Sequence, residues 1–515
     1  MKLLKKLFVF LAVFVLVATL ILWTLAKSIS PEVVKDYVST QLTSLTNQQS
    51  QIEGDISWQL FPRPGIKITR MQIGNHDGQN RYSVRLENVL FNLKITPLLR
   101  GKLVFSELNV NGFQIIINPD AKSSIVKKTL GSPPKKTGHI AEQFAIENIL
   151  LTHGEILLQK NHQIIKLANS QIGAERFNLK KQSFPLQFKS QLTITANGKS
   201  LVQGHINFKG NTALSLGMID NPLTAFQTTP LAGQLMMQDL KVDQFKINKI
   251  RSTVKTKSGV LLLNPLTLTM YHGESVGDLS YDFATKKLTF NQTATNLNGS
   301  KLIHDLVKKR LFKGSVDFSI HALANMNQNW LETVLGKGSL TIKDGVVESV
   351  NLNKVIDETS TKINKLLSGK KNEVTDVLQL SQFDNPAFFK GHTNFKLLTI
   401  EYTLQNEKLL SNSLVLQTDR LQLKGSGELN LKDNNLDSHL QAKVSLTDPE
   451  VDKIQQLLGG NFPLLIKGNL VAPTVLPDLK IINPILSQFW LKEALAKPVK
   501  AIHKQIKTLL TNKND

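Results

Sequence analysis

No cysteine occurs in the 515-residue chain, which excludes disulfides, thiolate metal sites and cysteine nucleophiles. Its stability must come from packing. Acidic residues are also scarce, 40 against 62 basic ones for a formal charge of +22, and lysine supplies most of the basic set. A nucleic-acid binder of this balance would concentrate arginine in a stripe or build an aromatic stacking platform, and neither pattern is present. The lysines are spread along the chain. Their distribution fits attraction to anionic membrane surfaces or acidic lipid headgroups, and it fits equally the plain solvation of strand faces and edges.

Signatures of catalysis are missing as well. The 11 histidines are scattered, and no His-Glu-x-x-His helix or comparable zinc spacing occurs. "SGKKNE" from Ser368 and "LGKGS" from Leu335 each hold part of a phosphate loop, but neither completes the motif, so both read as turns. No Gly-x-Ser-x-Gly elbow is found. Asp278 and Asp282 lie close to Tyr281, yet on alternating strand positions carboxylates ordinarily face solvent. The sequence therefore predicts a protein that is not an enzyme and uses no cofactor or metal.

What the chain does contain begins with an uncharged run from Leu7 to Ala26, whose helical rise of about 30 Å matches the hydrocarbon core of a bilayer. A cleaved signal peptide would have a shorter apolar region and a small-residue cleavage site. The run predicts a single transmembrane helix. Lys2, Lys5 and Lys6 precede it and Lys27 stands nearly alone behind it, so the lysine bias predicts a cytoplasmic N-terminus with the bulk of the chain on the far side. In a Gram-negative cell these would be the inner membrane and the periplasm. Nothing after Ala26 approaches bilayer-spanning length.

Ser30 and Pro31 then open a helix with Val34, Val38 and Leu42 at helical spacing. From Ile66 the period becomes two. Ile66 and Ile68 share one face, and the pattern slips so that Met71 and Ile73 continue it. Similar alternation recurs through Asn197-Gly198, a strong hairpin signal, through Tyr281 and Phe283, and through Val316, Phe318 and Ile320. Leucine pairs such as Leu414/Leu416, Leu421/Leu423 and Leu429/Leu431 alternate with polar turns, the pattern of an antiparallel meander. Helical spacing is confined to a few insertions, among them one starting at Asp448 and Pro449 and ending in a Gly pair. Residues 118–140 are rich in Lys, Ser and Pro and read as a linker or long loop.

A one-sided sheet must cover its apolar face with another sheet, helices, its own curvature or a ligand. Alternation is compatible with dry β-sandwiches and with a long groove filled by acyl chains. If roughly 25 to 30 strands formed one sheet, it would extend on the order of 120 to 145 Å.

Three stretches resemble the AsmA-like proteins of Gram-negative bacteria. The first is "GDISWQLFPRPGIKITRMQIGN", with Gly54, Trp58, Phe61, Pro62, Gly74 and Asn75 in the family's order behind an N-terminal anchor. The second is "GKGSLTIKDGVVESVNLNKVID" from Gly336 to Asp357, and the third joins the leucine meander to "FPLLIKGNLVAPTVLPDL". The resemblance implies an inner-membrane-anchored periplasmic protein, related to bridge-like lipid carriers and linked to outer-membrane lipid homeostasis and protein assembly. The expected fold is mainly β with few helices: one transmembrane helix, then an elongated, curved antiparallel β-sheet forming an apolar groove. The expected segments are 1–27 (anchor), 28–117 (membrane-proximal helix and first strands), 118–140 (linker), 141–330 (middle groove), 331–480 (C-terminal β-region) and 481–515 (basic helical tail).

Candidate lipid-facing positions are Ile66, Ile68, Leu414, Leu416, Leu421, Leu423, Leu429 and Leu431. Trp58, Leu60 and Phe61 form a candidate apolar plug where the first helix meets the sheet, with Pro62 and Pro64 turning the chain. Trp490, Leu491 and Leu495, in a tail rich in lysine, are a candidate membrane-surface element or end cap. The expected partners are phospholipid acyl chains, with an outer-membrane protein as the alternative for a scaffold or assembly factor, and no nucleic acid.

Overall fold

The computed structural model describes residues 35–36, 38–40, 42–43, 49–59, 63–74, 82–98, 104–118, 145–160, 162–215, 227, 229–309, 312–348, 350–368, 391–445, 448–470 and 472–492. The candidate anchor, most of the 118–140 segment, Leu60, Phe61, Pro62 and Leu495 fall outside them. Among the described residues no helix is long and apolar enough to cross a membrane. They carry 22 strands and only a few helices, so the mainly β expectation holds. Contacts divide the chain into two units, 1–270 with 276–286, and 271–275 with 287–515.

The first unit is an open sheet. β1 (Ser50–Ile52) and β2 (Ile56–Gln59) pair in succession along β3 (Gly65–Ile73), which pairs with β4 (Tyr82–Leu93). The short α1 (Ile95–Leu98) leads to β5 (Phe105–Ile117). Then comes β6 (Ala145–Lys160), followed by β7 (Gln163–Asn178), β8 (Phe184–Ala196), β9 (Lys199–Thr212), β10 (Leu231–Val242), β11 (Phe245–Lys257) and β12 (Val260–Met270), and each strand from β7 to β12 is antiparallel to the one before it. β13 (Gly273–Asp282) straddles the boundary between the units. The β8–β9 turn is built as its sequence predicts, with Asn197 at φ 50° and Gly198 at φ 76°.

One pairing departs from the antiparallel expectation: β5 and β6 run parallel. A parallel pair needs a crossover of a dozen or more residues rather than a tight turn. Residues 118–144 lie between the two strands and are long enough for that.

At the start of the unit, Val38 and the half-buried Leu42, both helical, pack with Ile52, Ile66, Ile68, Met71 and Val89. The slip after Ile68 is present and is shared by its neighbours. In β4 the inward residues step from Val89 to Leu86, in β5 from Val110 to Phe113, in β6 from Leu151 to Gly154, and these positions stay paired across the strands. Asn88, Gly112 and His153, at φ 46°, 100° and 53°, supply the left-handed residue at each step. Gly, Asn and His tolerate that conformation far better than branched residues do.

The second unit repeats the scheme with helices inserted. β14 (Lys287–Asn298), α2 (Gly299–Val307), β15 (Phe312–Asn325), α3 (Trp330–Thr333), β16 (Leu335–Val347) and α4 (Leu352–Ser368) come first. β17 (Thr393–Gln405), β18 (Lys408–Gln417), β19 (Leu421–Asn430), β20 (Asn435–Val444), α5 (Pro449–Leu457), β21 (Phe462–Asn469) and β22 (Thr474–Pro477) follow, and helical residues 479–492 form α6. All neighbouring strands from β14 to β22 are antiparallel. The predicted cap of α5 is formed: the Asp448 carboxylate accepts the Glu450 amide at 3.0 Å, Pro449 opens the first turn, and Gly459 and Gly460 end it at φ 86° and 93°.

Candidate functional site

Register turns the separate alternating strands into continuous apolar rows. In the first unit Ile68 faces Val89, Val89 faces Val110, and the row continues through Leu151, Ile172, Phe188, Phe208 and Leu235. Its first members are sealed: Ile68 and Val89 are 0% exposed beneath Val38 and Trp58. Leu151, Ile172, Phe188 and Leu235 are only half-buried. The opposite face of the same strands is polar and exposed, with Gln187, Lys189, Gln191, Gln203, His205 and Lys209.

Small residues let large ones lie flat on this face. A Cβ on Gly154 would stand 2.0 Å from the Phe113 ring, and Gly210 and Gly233, paired across β9 and β10, sit under the ring of Phe208. In the second unit Phe395 lies over Gly345 and Tyr402 over Gly338 in the same manner. The Tyr402 hydroxyl donates to the Ser319 carbonyl at 3.0 Å, and burial raises its pKa.

In the second unit one row is wholly buried. It runs from Leu297 through Val316, Ile342, Leu398, Leu416, Leu423 and Ala442 to Phe462. These residues lie toward the strand ends where α2, α4 and α5 enter. α4 buries Val355, Ile356 and Ile363, and packs on α5 and β22. Arg420 holds Asp357 of α4 with two hydrogen bonds, 2.6 and 3.0 Å, which raises the arginine pKa. The Gln455 side chain of α5 accepts the Val444 amide at 2.7 Å and donates to its carbonyl at 3.4 Å. Toward the opposite strand ends a second row, Leu404, Leu409, Leu429 and Leu436, is only half-buried.

The candidate positions thus fall into different settings. Ile66, Ile68, Leu416, Leu421 and Leu423 are buried, Leu414 and Leu429 keep part of their surface, and Leu431 lies in the β19–β20 turn. Trp58 is half-buried against the first core, Trp490 is half-buried, and Leu491 is 62% exposed. The half-open positions in the middle of the first unit, Leu151, Ile172, Phe188 and Leu235, were not singled out by sequence. Their signal was the same period of two; which strands are left half-open depends on where helices pack, and no local pattern encodes that.

The polar side carries ordinary surface electrostatics. Asn92 and Arg63 hydrogen-bond Glu107 and lower its pKa, and Lys166 with Gln114 does the same for Glu155. Asp317 accepts Lys343 at 2.8 Å and the Asn296 amide at 2.8 Å, and both lower its pKa. Two concavities, of 530 Å³ and 280 Å³, are lined mainly by polar side chains such as Ser413, Lys424 and Gln441, and Lys67, Asn109 and Thr152. Among the described residues no group of three or more His, Asp or Glu side chains could hold a metal ion.

Fold and face together define a mainly β protein whose sheet keeps an apolar surface part-covered by helices and part half-open. The model of the AsmA family matches residues 1–230 and 221–406, and the chain belongs to that family. Over 95 residues it is 24% identical to Protein AsmA of Escherichia coli (strain K12), a match covering 18% of this chain and 15% of that protein. No solved structure matches the chain.

Proposed function

We propose that the protein holds lipid acyl chains along its apolar sheet face while anchored in a bacterial inner membrane with its β-body in the periplasm, and so contributes to phospholipid transport between membranes and to outer-membrane homeostasis. The observation that carries this reading is the register-matched row from Leu151 to Leu235, whose side chains are apolar and aligned, and half-open at every position but the buried Phe208. Lying on such a row, an acyl chain gains about 0.8 kcal/mol for each methylene removed from water. Sealed positions such as Ile68 and Leu423 then serve as the walls of the core, and Leu414 and Leu429 as contacts. Membership of the AsmA family and the long uncharged run at Leu7–Ala26 support the membrane setting.

The test is to purify the full chain in mild detergent and measure co-purifying phospholipid by mass spectrometry. Bound phospholipid is expected, and F188D/L235D should lower it to less than half; a wild-type preparation free of phospholipid would sink the reading. A partner-docking role is favoured at one place, the exposed Leu491 and Ile481 of α6. Deleting residues 487–515 separates the two: loss of a docked envelope protein with lipid retained supports docking, and unfolding supports an end cap.

A further inference from the structure

Lysines without an ion-pair partner among the described residues gather on the turns at one end of the first unit's strands. Lys180 and Lys181 follow β7, Lys257 closes β11 and Lys286 follows β13. The first three are exposed and Lys286 is half-exposed. None of the four forms an ion pair with a described residue, whereas Lys166 on the strand face holds Glu155, and Lys199 at the opposite strand ends holds Asp243 at 3.2 Å.

Hydrogen bonds join these turns into one margin. The Lys181 amide donates to the Leu214 carbonyl at 2.9 Å, the Thr212 hydroxyl to Pro230 at 3.0 Å, the Thr256 hydroxyl to Thr229 at 2.7 Å, and the Phe283 amide to Gly259 at 2.9 Å. Turns on one margin recur every second strand, about 10 Å apart. The margin borders the apolar face directly: Leu186, Gly210, Gly233 and Val254 form the adjoining row, and the rings of Tyr281 and Phe283, at the β13 end that leads into the Lys286 turn, meet edge to face at 5.1 Å.

We propose that this margin takes the phosphodiester headgroups of anionic phospholipids whose acyl chains lie on the adjoining face. The inference rests on the acyl-chain reading above and adds a preference among lipids. A lysine ammonium is a compact donor for phosphate oxygens. A zwitterionic headgroup already brings a cation to its phosphate, so lysines that no described carboxylate pairs favour lipids with net negative charge. Each lysine near an anionic surface is worth about fivefold in binding.

Full-length protein in neutral detergent is incubated with an equal mixture of phosphatidylglycerol and phosphatidylcholine, repurified, and its bound lipids quantified. The expected result is phosphatidylglycerol enrichment of about fivefold or more, lost in K180E/K181E/K257E/K286E while total bound lipid is kept. The milder set K180Q/K181Q/K257Q/K286Q, checked for an unchanged melting temperature, should lower the enrichment too. K424E/K443E, on the polar face of the second unit, should leave it intact. Soluble glycerol phosphate should not compete, because it brings no acyl chain to the face. Enrichment that survives both margin variants, or is absent from wild type that binds lipid, overturns the headgroup preference alone. Wild type that binds neither lipid overturns the acyl-chain reading and the preference with it.

Discussion

At Gly154 the Phe113 ring occupies the space any Cβ would need, with ring atoms 2.0 Å from the ideal position. Alanine there forces the ring off its resting place, and overpacking of this kind costs about 1 to 3 kcal/mol. G154A should therefore lower the melting temperature of the purified chain by several degrees, read by circular dichroism; an unchanged value would mean that Phe113 moves freely. The same exchange of glycine for ring area at Gly345 and Gly338 makes these sites intolerant for a shared reason. They lie where an aromatic side chain must lie flat if the row beside it is to continue.

Between elements, Asp317 of β15 fastens the left-handed Asn296 of β14 through its amide and reaches Lys343 of β16. Its folded pKa is lowered, so its contribution is present above the unfolded carboxylate value of about 3.9 and is lost as pH falls through the folded value. D317N should lower stability at pH 7, by about 1 kcal/mol for the hydrogen bond from Asn296, and the gap to wild type should close as denaturation is repeated below about pH 4. A gap independent of pH would exclude the ionised carboxylate as its source. Elements were also where sequence spoke most plainly. The Asn197-Gly198 hairpin, the Asp448 cap and the slip after Ile68 are all set by residues within a few positions of one another, and all are present. The parallel β5–β6 pair was not legible, because strand direction depends on a partner reached across a long connection. Nor was it legible that Leu421 and Leu423 would be sealed while Leu429, on the same strand and with the same alternation, keeps surface. Helices inserted tens of residues away decide that difference.

For the molecule as a whole, the proposed ligand and the folded state are linked. A lipid that binds the native chain and not the unfolded one stabilises it by RT ln(1 + [L]/Kd), about 2.7 kcal/mol at a hundredfold excess over Kd. Added phospholipid should raise the melting temperature and slow amide exchange on β6 to β10, where the face is half-open, more than on β3 and β4, where it is already sealed. Equal protection of both regions would place the lipid elsewhere. The excess of lysine acts at this scale too, as a diffuse attraction that weakens when the Debye length shrinks from about 10 Å at 0.1 M salt to about 3 Å at 1 M.

The succession of hairpins also sets the order in which the chain can fold. From β6 to β12, and again from β14 to β22, each strand pairs with the one made just before it. Most of these contacts close short loops, and local contacts are the arrangement that folds fastest. A chain emerging N-terminus first can add strands in the order of synthesis, each new one meeting an edge already in place. β6, β10, β17 and β21 are the strands that wait for long returns, across residues 118–144, 213–230, 348–392 and 445–461, and closing those connections costs more chain entropy than closing the tight hairpins between them.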